Sequence, residues 1–306
     1  MEKCKLTSKD GMDVACYAWP VSEPRGSVVI AHGMGEHAQR YDWVARELNA
    51  AGYAVYAKDH RGHGDTAHAK LGDMGEDGWN RTLDDIHLLV QDARTRCPGV
   101  PLILLGHSMG SMLSQQYVTT FGQSIDALVL SGSPGIKASI GGLILRVLAG
   151  REVKRLGPGE HSEKLQERLF GNANKPFDGP QANGYEWLSR DTSEVQKYID
   201  DDGCGFVLSC GSLVDMSHGT SFARSSEALS NIPKHLPVYI FSGDEDPVHG
   251  AKKDIQRLIK LWTKHGVQSP KLKWYEGGRH EMFNEVNRNE VVGDLIGWLD
   301  SVAHES

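Results

Sequence analysis

Apolar residues fall along this chain in two patterns, short continuous runs and longer stripes spaced at three and four residues. Two short extended segments come first, residues 4–7 and 14–18, joined across Asp10-Gly11, a hairpin-type turn. Residues 27–31 (Ser-Val-Val-Ile-Ala) then form an apolar run that ends before Gly33, the pattern of a buried strand. Tyr41, Val44, Ala45 and Leu48 follow with helical spacing, and Gly52 ends the stripe. The unit recurs. Residues 53–57 read as strand, and Leu83, Ile86, Val90 and Ala93 mark the next helix. Residues 101–105 are strand, 109–121 helix and 125–130 strand. Later, residues 238–241 are strand, and Ile255, Leu258, Ile259 and Trp262 line a helix. Residues 272–275 form the last strand, and Val292, Leu295, Leu299 and Val302 stripe the last helix. This alternation predicts an α/β fold with a mostly parallel central sheet and helices on both faces.

The rhythm lapses over residues 136–217. That stretch holds an apolar stripe (Ile140, Leu143, Ile144, Val147), a Gly-rich polar stretch over 170–184 and a further segment over 187–199. It reads as a cap inserted after the strand at 125–130, dividing the chain into core residues 1–135, cap residues 136–217 and core residues 218–306. No internal repeat is visible.

Composition narrows the function classes. A formal charge of -7 over 306 residues argues against nucleic acid as a partner, which would need a basic face. The five cysteines are scattered and none forms a C-x-x-C pair, so neither a disulfide framework nor a zinc site is indicated. No apolar h-region follows Met1-Glu2-Lys3-Cys4-Lys5, and no run of about 18 apolar residues occurs, so the expectation is a cytoplasmic protein without a spanning helix.

The candidate chemistry begins at Gly106-His107-Ser108-Met109-Gly110. An apolar strand runs directly into this G-x-S-x-G pattern and a helix follows. So tight a strand-to-helix turn strains the serine backbone, requires small residues on either side, and aims the helix's free N–H groups at any oxyanion formed on Ser108. A near-duplicate, Gly219-Thr220-Ser221-Phe222-Ala223, is fed by no clear buried strand, and Ser221 is expected to be a helix N-cap.

A serine hydroxyl needs a histidine to take its proton and a carboxylate to fix that histidine's tautomer, in the chain order Ser, acid, His for a fold of this kind. After the strand at 238–241 stand Asp244, Glu245 and Asp246. After the strand at 272–275 stand Gly277-Gly278-Arg279-His280. His280 is therefore the candidate base. Asp246, followed by Pro247, is the candidate acid, and Asp244 remains open as an alternative. The loop His32-Gly33-Met34-Gly35-Glu36-His37 offers the Met34 N–H to join that of Met109 as an oxyanion hole. The same loop fits a G-x-G-x-x-A dinucleotide fingerprint, with Asp59 ending the next strand. Against that reading, Glu36 would face a pyrophosphate, and Ser108, Asp246 and His280 would be left unexplained. The spacings of His32, His37, His60, His63 and His68 match no metal motif, so no metal is expected and loop hydrogen bonding is the simpler reading.

With these residues placed, the chain resembles the monoacylglycerol lipase and lysophospholipase branch of the α/β-hydrolase superfamily over nearly its whole length. The likeness runs through His32 to His37 with Arg40-Tyr41, Asp59-His60-Arg61-Gly62-His63-Gly64, the elbow at 106–110, residues 243–248 and His280-Glu281. Thr66 stands where that branch usually carries serine. The resemblance implies an α/β-hydrolase fold, hydrolysis of monoacylglycerols or similar acyl esters, a cap over the site and no cofactor. It gives catalytic roles to Ser108, Asp246 and His280 and oxyanion roles to the Met34 and Met109 amides. The stripe Ile140, Leu143, Ile144, Val147 either lines an acyl tunnel, touches a membrane or micelle surface transiently, or packs the cap on the core. Two other classes stay open: an aminopeptidase or thioesterase with the same triad, and a non-enzymatic binding protein on the same fold.

Overall fold

Each continuous apolar run becomes a strand, because a strand covered by helices on both faces has no polar side. The computed structural model describes residues 1–67, 70–136 and 141–305. Among the described residues eight strands form one sheet in the order β1-β2-β4-β3-β5-β6-β7-β8. The hairpin β1 (Glu2–Thr7) and β2 (Asp13–Trp19) lies antiparallel at one edge, turning through Gly11 at φ 84°. The parallel part comprises β3 (Gly26–Ala31), β4 (Tyr53–Lys58), β5 (Leu102–His107), β6 (Ala127–Ser131), β7 (Val238–Gly243) and β8 (Lys271–Tyr275). All residues of β3 to β7 are buried.

The side-chain alternation of these strands feeds two cores, one on each face. On one face Val28, Ile30, Ile103, Leu105 and Phe241 meet α1 (Asp42–Ala50) and, through Val291, Leu295 and Leu299, the C-terminal helix α10 (Arg288–Glu305). On the other, Val29, Leu102, Leu104, Leu128 and Ile240 meet α2 (Gly78–Arg96), α3 (Met109–Phe121) and α9 (Lys252–Lys264). Between β6 and β7 the chain forms α4 (Gly141–Leu156), α5 (Glu163–Phe170), α6 (Thr192–Ile199), α7 (Cys210–Phe222) and α8 (Ser226–Ser230). Helix α7 packs on α2, α3 and α4, so it joins the helical layer of the sheet.

Two sequence expectations in this region meet the structure differently. Ser221 is not an N-cap. It sits in the last turn of α7, and Ser209 caps that helix by accepting the Ser212 N–H. The Gly219-Thr220 pair misleads because α7 runs through it: a Cβ on Gly219 would strike the Trp79 indole, so glycine there answers to close packing rather than to a helix start. On α4, Leu143 and Val147 are exposed and Ile144 half-buried, while Leu145, Leu148 and Ala149 meet the core. Ile140 and His68 lie outside the described residues. No helix of the described residues is long and apolar enough to cross a membrane.

Candidate active site

The parallel strands all deliver their carboxyl ends to one edge of the sheet, and four of the loops leaving that edge meet at Ser108. The turn from β5 into α3 holds Ser108 at φ 52° and ψ −113°, and among the described non-glycine residues only Asp77 shares a positive φ. Such a conformation persists only where the surroundings impose it. They do so here by close approach: a Cβ on Gly106 would strike Gly110 and Ser114, and one on Gly110 would strike the carbonyls of Ala31 and His32. The Ser108 N–H donates to Ser131 O at 3.0 Å, which ties the turn to β6.

Three of the residues singled out by strand order come together here. The Ser108 hydroxyl donates to His280 Nε2 at 2.9 Å, and His280 Nδ1–H donates to Asp246 Oδ2 at 2.9 Å. Asp246 also accepts from Ser242 Oγ at 3.1 Å and, on its other oxygen, from the Val248 N–H at 2.8 Å. Burial works against charge on both partners. The ion-pair geometry overrides it, raising His280 above the ordinary imidazole value and holding Asp246 below the usual carboxylate range. Asp244 lies elsewhere: it accepts the Gly277 N–H at 2.8 Å and pairs with Lys252 at 3.0 Å, tying the loop after β7 to the loop after β8 and to the start of α9. His107, beside the serine, has its ring 4.8 Å from that of His280, and burial followed by that neighbour's charge pushes it down to about 3.

The β3 loop lies against the serine, since a Cβ on Gly33 would sit 3.3 Å from Ser108 Cβ. Neither the Met34 N–H nor the Met109 N–H has an acceptor among the described residues. Glu36 accepts the Gly33 N–H, and the oxygens of Asp59 are taken by the Ala38 N–H (2.8 Å), the Asp65 N–H (2.8 Å) and the Tyr17 hydroxyl (3.0 Å). Asp59 is thus engaged by the protein's own donors and Glu36 sits in the loop, so the dinucleotide reading has no geometric support. Of the histidines, His32, His60 and His63 are bonded to neighbouring loop backbone. One group of metal-binding residue types converges among the described residues: His37, Asp201 and Cys204. Burial pushes the Cys204 thiol up, and His37 Nε2 already pairs with Asp201 at 2.9 Å.

The comparisons with known proteins fit this geometry. The family model described as serine aminopeptidase, S33, matches residues 22–287. A monoacylglycerol lipase of Mycolicibacterium smegmatis is 31% identical over 95% of this chain and 94% of its own. This chain belongs to the monoacylglycerol lipase branch of the α/β-hydrolases. It is accordingly a serine hydrolase. The human monoglyceride lipase is 26% identical over 96% of this chain and 89% of its own. A thermostable carboxyl esterase of Bacillus coagulans, solved in complex with glycerol, superposes with a TM-score of 0.88 at 29% identity over 99% of this chain and 98% of that one.

In this hydrolase the branch motif around Glu36, Arg40 and Tyr41 has a physical role that its spacing does not reveal. Arg40 makes a two-pronged pair with Glu281 (2.7 and 2.7 Å) and a third bond to Glu36 (2.8 Å), and Tyr41 donates to Glu36 at 2.9 Å. The loop after β3 is thereby tied to the loop that carries His280. Burial opposes charge on Glu281, and the Arg40 guanidinium still holds it down to about 2. Two further residues went unseen in the sequence. The Trp187 ring lies 5.1 Å from that of His280, and Phe206 lies 4.9 Å from His63, in a stretch that bonds Gly205 N–H to Gly35 O. Both occupy irregular segments, where no period marks an inward side chain.

Proposed function

We propose that the enzyme hydrolyses the carboxylic esters of monoacylglycerol-like or lysophospholipid-like lipids by acyl transfer through Ser108. The observation that carries this reading is the unbroken hydrogen-bond chain from Ser108 through His280 to Asp246. His280 takes the serine proton as Ser108 Oγ attacks the ester carbonyl. The amides of Met34 and Met109 receive the oxyanion, His280 returns the proton to the departing alcohol, and water repeats the cycle on the acyl-enzyme. Asp246 fixes the imidazole with its proton on Nδ1, so that Nε2 is free to accept.

The cap we propose over residues 136–217, the last of which begin α7 in the helical layer of the sheet, lies between core residues 1–135 and 218–306. This part of the reading is supported by Trp187 against His280 and by Phe206 on the loop beside Gly35. The exposed Leu143 and Val147, 50% and 47% accessible, suit transient contact with a lipid or micelle surface, and half-buried Ile144 suits the acyl path. A panel of monoacylglycerol, lysophospholipid, acyl-thioester and aminoacyl-amide substrates, run on wild type and Ser108→Ala, tests the whole. Turnover concentrated on the two lipid esters and lost in the variant is expected. The description of the family model as a serine aminopeptidase gives the second reading, and preferred cleavage of the amide would establish that one instead.

A further inference from the structure

The backbone of the proposed base is held from outside the sheet. His280 N–H donates to Trp187 O at 3.3 Å, and Glu281 N–H donates to Leu188 O at 2.7 Å. Residues 185–190 form neither helix nor strand, so no ladder of their own keeps those carbonyls in place. Glu285 supplies the anchor. Its carboxylate, on a residue 1% exposed, accepts from Arg190 N–H (3.1 Å), Arg190 Nε (2.9 Å), Arg279 N–H (3.0 Å) and Val286 N–H (2.9 Å). One side chain therefore binds both the far end of the strap and the residue immediately before His280. Arg279 reinforces the same joint, donating from Nη1 to Glu186 O at 2.7 Å and to Ser189 O at 3.2 Å.

We propose that Glu285 is a positioning residue for His280, acting by buckling the strap Trp187–Leu188–Ser189–Arg190 onto the loop of the base. The inference rests on the reading of His280 as general base. Proton transfer needs Nε2 within hydrogen-bond reach of Ser108 Oγ while Nδ1 stays on Asp246, and small displacements of such a group carry large rate costs. Glu285 touches neither substrate nor reacting atoms. It sets where the two amides at 280 and 281 end, and with them the aim of the ring.

The test uses Glu285→Gln, Glu285→Ala and Arg190→Gln, each assayed on a soluble p-nitrophenyl ester. Active sites are counted by fluorophosphonate labelling run to completion. Gln keeps one acceptor oxygen and turns the other position into a donor, while Ala keeps no acceptor. The expected fall in kcat per site is about tenfold for Gln and about a hundredfold for Ala, with KM within about twofold of wild type. Arg190→Gln, which leaves the Arg279 bond intact, should fall about threefold to fivefold. In every folded variant the acid limb of the kcat/KM profile should shift to lower pH, because a ring that drifts from Asp246 loses the interaction that raises its pKa. A lower melting temperature with wild-type kcat per site and an unmoved acid limb would overturn the proposal, since a purely structural buckle gives that pattern. Should Glu285→Ala fail to fold, Glu285→Gln and Arg190→Gln still decide it. Wild-type enzyme that takes no label at Ser108 would instead overturn the reading of the triad, and this inference with it.

Discussion

Replacing Asp246 with Asn changes one oxygen into an amide group and leaves the shape of the side chain intact. The carboxylate accepts three hydrogen bonds, from His280 Nδ1 and Ser242 Oγ on one oxygen and from the Val248 N–H on the other. Asn cannot satisfy this set in either orientation. With its oxygen toward His280, its amide confronts the Val248 N–H, and a buried donor facing a donor costs about 1–3 kcal/mol. With its oxygen toward Val248, its amide donates to Nδ1 and drives the imidazole proton onto Nε2, where it blocks acceptance from Ser108. The second orientation therefore prevails, and the imidazolium that forms during attack also loses its anion. A loss of about 10⁴ in kcat is expected, equal to about 5.5 kcal/mol of barrier. Initial rates on p-nitrophenyl butyrate, normalised to folded protein by circular dichroism, measure it. Asp244→Asn serves as the comparison, because its partners are Lys252 and the Gly277 N–H rather than His280, and it should lose less than about fivefold. An Asp246→Asn enzyme within about thirtyfold of wild type, or an Asp244→Asn enzyme impaired as badly, would refute the assignment of the acid.

Three further outcomes follow from the same geometry. His280 must be neutral to accept a proton and its pKa is raised, so kcat/KM should fall toward acid with a midpoint above the ordinary imidazole value of about 6.5; a midpoint at or below that value would contradict the His280–Asp246 pairing. Gly110→Ala forces a Cβ into the carbonyls of Ala31 and His32, neither of which can yield, and should cost about 3 kcal/mol or more; thermal melting within about 2 °C of wild type would count against the close approach at the elbow. Arg40→Met leaves Glu36 and Glu281 buried without their cation and should cost about 3–5 kcal/mol in urea unfolding, while a loss under about 1 kcal/mol would show that the three-way pair contributes little.

What the sequence revealed depends on how local each signal is. Strands β3 to β7 are legible because their runs are apolar throughout, and the ends differ from the sequence reading by no more than two residues. Strand order places Ser108, the acidic run 244–246 and His280 on loops at the same edge of the sheet but leaves Asp244 and Asp246 open, and topology then brings Ser108, Asp246 and His280 together across 34 and 172 residues of chain. Long-range side-chain bonds carry no such mark. Arg40 and Glu281 are 241 residues apart, and Arg190 and Glu285 are 95 apart, so neither pair has a period or a motif that names its partner. Ser221 misled for the opposite reason: a small-residue pattern fits a helix start as well as a crowded helix interior, and the indole of Trp79 against Gly219 is visible only in three dimensions. On α4 the periodicity left the orientation of the stripe open, and Leu143 and Val147 are exposed while Leu145 and Leu148 pack against the core.

The most direct measurement of the proposed nucleophile, Ser108, is the site of covalent labelling by a fluorophosphonate. Wild-type enzyme, digested and sequenced by mass spectrometry after labelling, should carry the phosphonyl group on Ser108 alone. Ser108→Ala should take no label and show no esterase activity above trace, whereas Ser221→Ala should label and turn over as wild type does. A label on another residue, or a Ser108→Ala enzyme that still forms the adduct, would contradict the account at its centre.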